Sequence, residues 1–228
     1  MEVIELEGDP TLEIVLRRSG RARRLSLRVS SIDGRVTMTI PTWLPDADAL
    51  AFAADRRDWI VDARSNVRTA KPLREAGELP VEGRLRQIVL SKRRSPLLEG
   101  DFIYLPDRAP GRAAAAFLKV LARDRLALAC DRAASTLERS YTSLVLRDTR
   151  SRWGSCSQSG RLMFSWRLAM APKEVLAYVA VHEVAHLVRM DHSPAFWSVV
   201  EGLDPMWRGH RDWLKRKGPE LHCYLFND

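Results

Sequence analysis

The sequence predicts an α+β fold, with a β-rich N-terminal portion over residues 1–108 and a helical portion over 109–228 that carries a short antiparallel sheet. Three observations predict it. Apolar and polar residues alternate on both sides of Asp33-Gly34; apolar residues recur at helical spacing over 117–137 and 172–190; and the extended patterns mostly precede the helical ones. With 228 residues, 46% hydrophobic and 29% charged, the chain has the balance of a protein that folds around a buried core.

Leu25, Leu27 and Val29 alternate with Ser26 and Arg28, and Val36, Met38 and Ile40 alternate with Arg35, Thr37 and Thr39, so the Asp33-Gly34 between them predicts a β-hairpin. Pro45-Asp46 opens a helix whose apolar positions Leu50, Ala53, Ala54, Ile60 and Val61 recur every third or fourth residue as far as about Asn66. The segments 85–90 and 102–105, separated by Ser95-Pro96 and Glu99-Gly100, predict two more strands. Phe117, Val120, Leu121, Ala127 and Leu128 mark a helix running to about Leu137. Residues 142–146 and 162–168 read as a second hairpin, interrupted by Gly154 and Ser159-Gly160. Pro172 supplies a first-turn proline, and Glu174 a first-turn charge, for a helix that carries Val175, Leu176, Val179, Val181 and Val184 to about Met190.

The net charge of +8 favours encounters with anions, nucleic acid among them, and the run from Arg17 to Arg24 could follow a phosphate backbone; a solvated loop beside a strand is the plainer account. Cys130, Cys156 and Cys223 are odd in number and form no C-x-x-C pair, which fits a reducing cytoplasm. The acidic start of the chain lacks the basic and apolar regions of a secretory signal. The most apolar stretch, 113–130, is broken by Lys119, Arg123, Asp124 and Arg125, so no membrane partner is expected.

His182-Glu183-Val184-Ala185-His186 is an H-E-x-x-H motif on a predicted helix. Residues four apart share a helical face, so both imidazoles can reach one metal ion. Glu183, turned roughly 100° from His182, brings its carboxylate beside that ion, where it can take a proton from water. A catalytic zinc site takes three protein ligands and keeps one position open. His192 is the best third ligand, provided that the chain reverses after Met190 or Asp191. Ser193-Pro194 supplies a cap and a first helical residue for a new helix that holds His192 at its mouth, with Phe196, Trp197, Val200 and Leu203 on its buried face. Glu201 remains an alternative third ligand. The chemistry expected of such a set is amide hydrolysis by water, with Zn2+ as cofactor, Glu183 as general base and a protein or peptide as substrate.

At these residues the sequence resembles the YgjP-like metallopeptidases, a group related to the WLM and SprT-like zinc peptidases. The resemblance includes Arg152-Trp-Gly-Ser-Cys156, Trp166-Arg-Leu168, Pro172, the segment 178–187, His192-Ser-Pro-Ala-Phe-Trp197, Pro205 and Trp213-Leu214, and it covers most of the chain. It implies a zincin-like catalytic portion in which His182, His186 and His192 bind zinc and Glu183 is catalytic. The histidine spacing also equals that of metzincins, but Arg189 stands where those enzymes carry glycine. Trp153, Gly154, Ser155 and Cys156 are expected on an extended segment whose edge could pair with a substrate backbone. His210 and His222 are weaker candidates for transition-state donors, and Cys156 could approach the metal or be a buried core residue. The alternative from another class is a nucleic-acid-associated binding protein with a structural zinc, which would need four protein ligands and no base.

Overall fold

Alternation of period two builds the first sheet, seen in a computed structural model that describes residues 2–8, 11–30, 33–65 and 70–227. Leu12, Ile14 and Leu16 turn one way from β2 (Leu12–Ser19), and Val36, Met38 and Ile40 turn the same way from β4 (Val36–Pro41); all six are buried. With β1 (Glu2–Leu6) and β3 (Ser26–Val29) these strands form a four-stranded sheet in the order β1-β2-β4-β3. The expected hairpin is β3 and β4, antiparallel, with Val29 opposite Val36. Gly34 sits in its turn at a φ of 67°, a conformation that glycine adopts without a Cβ penalty. β1 and β2 were not expected, although the alternation of Leu12, Ile14 and Leu16 is plain in the sequence.

The helical stretch from Pro45 is two helices, α1 (Asp46–Asp55) and α2 (Arg57–Ser65), because Arg56 leaves the helical region at φ −104° and ψ 10°. The expected end at Asn66 lies outside the described residues. Ala49, Ala53 and Ile60 close this core over the sheet, and each large apolar side chain buried here contributes about 1.5–3 kcal/mol. In the basic run, Arg18 is structural: it pairs with Asp46 and donates to the carbonyl of Leu44 at 2.9 Å.

The chain divides into two compact units, Met1–Ala70 and Lys71–Asp228, whereas the sequence reading put its boundary at 108/109. The difference arises because the strands after residue 77 bury their apolar faces in the second unit's core. β5 (Lys71–Pro72) and the short α3 (Leu73–Ala76) lead into β6 (Glu78–Val81), β7 (Arg84–Ser91), β8 (Leu97–Glu99) and β9 (Phe102–Pro106), which form a sheet in the order β6-β7-β9-β8. Leu79, Val81, Ile103 and Leu105 pack from it into one cluster with Leu118, Leu126 and Cys130 of the 27-residue α4 (Pro110–Thr136).

A second sheet of this unit holds β10 (Ser143–Arg147), β11 (Gly154–Cys156) and β12 (Arg161–Ser165) in the order β10-β12-β11. β11 pairs antiparallel with β12, as expected of this portion, but β10 runs parallel to β12, so residues 142–146 and 162–168 form no hairpin. Nor does β12 continue to Leu168: Trp166–Met170 coils into a 3-10 turn whose side chains are all buried. Next comes α5 (Lys173–Ala185), which packs along α4. Pro172 is its cap, at ψ 145°, and not its first helical residue; the helix stops at His186 instead of reaching Met190. α6 (Pro194–Leu203), α7 (Trp207–Lys217), a 3-10 turn (Gly218–His222) and β13 (Tyr224–Leu225) complete the unit, with β13 parallel to β5. The α+β class predicted from the sequence is the class observed.

Candidate metal centre

The last turn of α5 carries His182 and Glu183, and His186 caps it. The chain then reverses: Leu187 donates its N–H to the Val184 carbonyl, and Arg189 donates to that of Ala185. Asp191 accepts from the Ser193 backbone N–H at 3.2 Å and from its hydroxyl at 2.8 Å, while Ser193 Oγ accepts from Phe196 N–H and so caps α6. This double turn holds His192 at the mouth of α6, as the sequence reading required.

One ring nitrogen from each of His182, His186 and His192 lies within 4.8 Å of the other two. Nε2 of His182 and Nε2 of His192 are 3.2 Å apart. Two nitrogens that share a tetrahedral zinc at about 2.0–2.1 Å stand about 3.3–3.4 Å apart, so this pair has the spacing that such an ion needs. Nδ1 of His186 lies 2.9 Å from the Arg189 carbonyl. A carbonyl only accepts, so Nδ1 carries the proton and Nε2 keeps its lone pair for an ion. Nδ1 of His182 is buried without a partner among the described residues. Phe196, fully buried, lies under all three rings at centroid distances of 5.0, 4.5 and 4.9 Å. This aromatic floor restricts how far any of the imidazoles can turn.

Electrostatics favour neutral imidazoles. Burial drives His182 down from 6.5 to about 3, and the charges of His186, His192 and Arg211 add to the effect; burial likewise lowers His186. His182 and His186 therefore offer lone pairs at neutral pH. Glu183 is only 6% exposed, and burial raises its carboxyl to about 8, against the opposing pull of the Arg152 charge and of a hydrogen bond from the Cys156 backbone N–H.

Gly154 explains how Glu183 fits. A Cβ at position 154 would lie 2.6 Å from both Cγ and Oε1 of Glu183, closer than atoms can approach. β11 is an outer strand of its sheet, and Trp153 and Ser157 spend their ladder bonds on Ser165 and Arg161. By antiparallel alternation, the backbone polar groups of Gly154 and Cys156 turn away from β12, toward α5.

Two cavities flank this point. One, of about 240 Å³, is bounded by Ser155, Cys156, Met190 and the three histidines; the other, of about 280 Å³, is bounded by Trp153, Tyr178, Val179, Arg211, Leu214 and Lys215. Gly154, His182 and Glu183 belong to both. All eight residues singled out from the sequence thus meet at these cavities. The weaker candidates do not join the histidine cluster: Glu201 pairs with Arg208 at 2.6 Å, His210 with Asp204 at 2.8 Å, and His222 lies buried against Trp153 at 5.2 Å. Cys156 lines the first cavity and donates its thiol to the Ser157 carbonyl.

Sequence reasoning missed Tyr178 and the α7 residues. Tyr178 stands one turn ahead of His182 on the same face of α5, a signal that was available. For Arg211, Leu214 and Lys215, spacing shows a shared face of α7, but nothing in the sequence says that this face meets α5.

No curated protein matches the chain. Among solved structures, the crystal structure of the metallopeptidase zymogen of Pyrococcus abyssi abylysin is similar to 41% of this chain and 95% of its own, at 21% identity and a TM-score of 0.38. The family model of the YgjP-like metallopeptidase domain matches residues 23–217. That span takes in both flanking cavities and the whole histidine cluster, and the chain belongs to the YgjP-like metallopeptidases, metal-dependent peptidases by family.

Proposed function

We propose that this metal-dependent peptidase is a cytoplasmic zinc endopeptidase in which His182, His186 and His192 hold the ion and Glu183 is the general base. The observation that carries the reading is convergence: three imidazoles face one point, and a carboxylate from the α5 helix stands beside the shared cavities. Borderline-soft nitrogen donors in a set of three suit zinc with one position left open. The rival reading, a nucleic-acid-associated protein with structural zinc, calls for four donors, and the cluster found among the described residues has three. The odd, dispersed cysteines favour the cytoplasm.

When bound, zinc supplies Lewis acidity, lowering the pKa of a water to about 7 and polarising a substrate carbonyl. Glu183, whose ionised form a cation held by the three histidines would favour against the effect of burial, accepts the proton of the attacking water on a carboxylate oxygen and returns it to the leaving amine. Gly154 offers its outward backbone groups, and Cys156 its carbonyl, to an extended substrate, while Trp153 and Ser155 shape the walls on either side. Two cavities that meet at Gly154 and Glu183 favour cleavage within a chain over trimming at its end. The test is incubation of zinc-loaded protein with a peptide library, read by mass spectrometry, beside chelated protein and Glu183→Gln. Cleavage is expected from the loaded protein only, with zinc retained in Glu183→Gln; full activity in that variant would remove Glu183 from the mechanism.

A further inference from the structure

The cavity on the α7 side of the site has an unbalanced lining. Trp153, Tyr178, Val179 and Leu214 give it an apolar wall, and Arg211 and Lys215 give it two cations. Its one carboxylate, Glu183, already accepts from the Cys156 backbone N–H. The Arg211 guanidinium lies over the Trp197 ring at 5.0 Å and 6.0 Å from that of Trp207, and no carboxylate pairs with it among the described residues. An aromatic face holds a cation in place through its quadrupole and supplies no countercharge, so Arg211 is fixed in position and still able to bind an anion. Lys215 shares Asp212 at 3.5 Å, with both side chains well exposed, a weak pair that an incoming anion can displace.

Resting on the peptidase reading above, we propose that this cavity selects a substrate residue that bears a carboxylate next to the bond to be cut. The apolar wall covers the methylene stem, and Arg211 with Lys215 receives the carboxylate. A volume of about 280 Å³ accommodates such a side chain. A neutral aliphatic residue would cover the two cations without pairing them, and a lysine or arginine would be repelled. The carboxylate can come from a glutamate or aspartate side chain, or from the chain end of the substrate.

The test uses zinc-loaded full-length protein and matched peptides that carry Glu, Gln, Leu or Lys at each position flanking the cleaved bond, every one made with a free and an amidated C-terminus. Glu is expected to exceed Gln by about five- to tenfold in kcat/KM, the discrimination a partly solvated ion pair provides. Preference retained in amidated peptides assigns the carboxylate to the side chain; preference only in free acids assigns it to the chain end and overturns the endopeptidase part of the reading above. Arg211→Gln is expected to bring the Glu-to-Gln ratio close to one, and Lys215→Gln, at an exposed position that folding does not need, to lower it in part. Labelled Glu and Gln peptides titrated against Glu183→Gln by fluorescence anisotropy measure the same preference without hydrolysis. Equal cleavage of Glu and Gln peptides overturns this inference and leaves the peptidase reading standing. Equal anisotropy affinities from a protein that cleaves nothing overturn both.

Discussion

Gly154→Ala tests how tightly β11 and the proposed general base, Glu183, are fitted to each other. The added methyl would meet Cγ and Oε1 of Glu183 at 2.6 Å, about 0.8 Å short of ordinary van der Waals contact. Because Cγ is struck as well as the carboxylate, a rotation at the end of the side chain does not relieve the collision; the glutamate must shift as a whole or β11 must move out. A displacement near 1 Å at a catalytic group lowers rates by about 100-fold. The expected loss in kcat is therefore about 30- to 100-fold, with zinc still bound, since the three atoms nearest to that methyl all belong to Glu183 and none to a histidine. The assay pairs steady-state hydrolysis of a cleavable peptide with zinc content after dialysis and a thermal melt. In a Glu183→Gln background, where no base remains to be displaced, the same alanine should reduce the residual rate less than about threefold, a non-additivity expected of groups that act together. Wild-type kcat in the single variant, or full additivity in the double, would refute the proposed fit.

Other perturbations separate fold from chemistry. Ser193→Ala removes the α6 cap and should lower stability by about 1 kcal/mol in urea unfolding; because His192 precedes the cap, zinc affinity measured against a competing chelator should weaken with it. Asp148→Asn removes the charge and one of the two oxygens that accept from the buried Arg167 at 2.6 and 3.2 Å, leaving the guanidinium one amide oxygen beside the carbonyls of Leu221 and Tyr224, and should destabilise the fold by about 1–2 kcal/mol, given that Asp148 is half exposed. Burial holds His222 down at about 4 against its ordinary 6.5, with the Arg167 charge adding to the effect. Between those values the unfolded chain binds the proton and the folded one does not, so this contribution to stability is complete above pH 6.5 and is lost as pH falls toward 4. Denaturant midpoints measured across that window should decline, and His222→Gln should flatten the decline.

What the sequence made legible was whatever depends on local periodicity. The i, i+4 histidines, the Ser193 cap and the β3–β4 hairpin each follow from a rule that acts within about ten residues, and each appears where expected. Long-range pairing was not legible. Parallel β10 and β12 are brought together across the β11 segment, and the alternation of residues 142–146 is the same whether the partner runs parallel or antiparallel. The end of α5 was placed near Met190 from the apolar spacing of Val175 to Val184; the chain instead bends at His186, where the Arg189 carbonyl folds back onto Nδ1. The catalytic half of the site was readable because its chemistry demands particular residue types at fixed spacing. The α7 wall was not, since Arg211 and Lys215 look in sequence like any solvated basic face.

If β11 receives the substrate as proposed, its three-residue edge admits only polypeptide that can lie straight for about 10 Å beside it. Helix, tight turn and packed sheet cannot present themselves that way without first coming apart. The conformational state of the target thereby becomes a filter as strict as its amino-acid order: each 1.4 kcal/mol that a target spends on keeping the scissile region folded lowers its turnover by about tenfold. Damaged, nascent or loosely tethered segments would be taken, and the same residues inside a sound domain would be passed over.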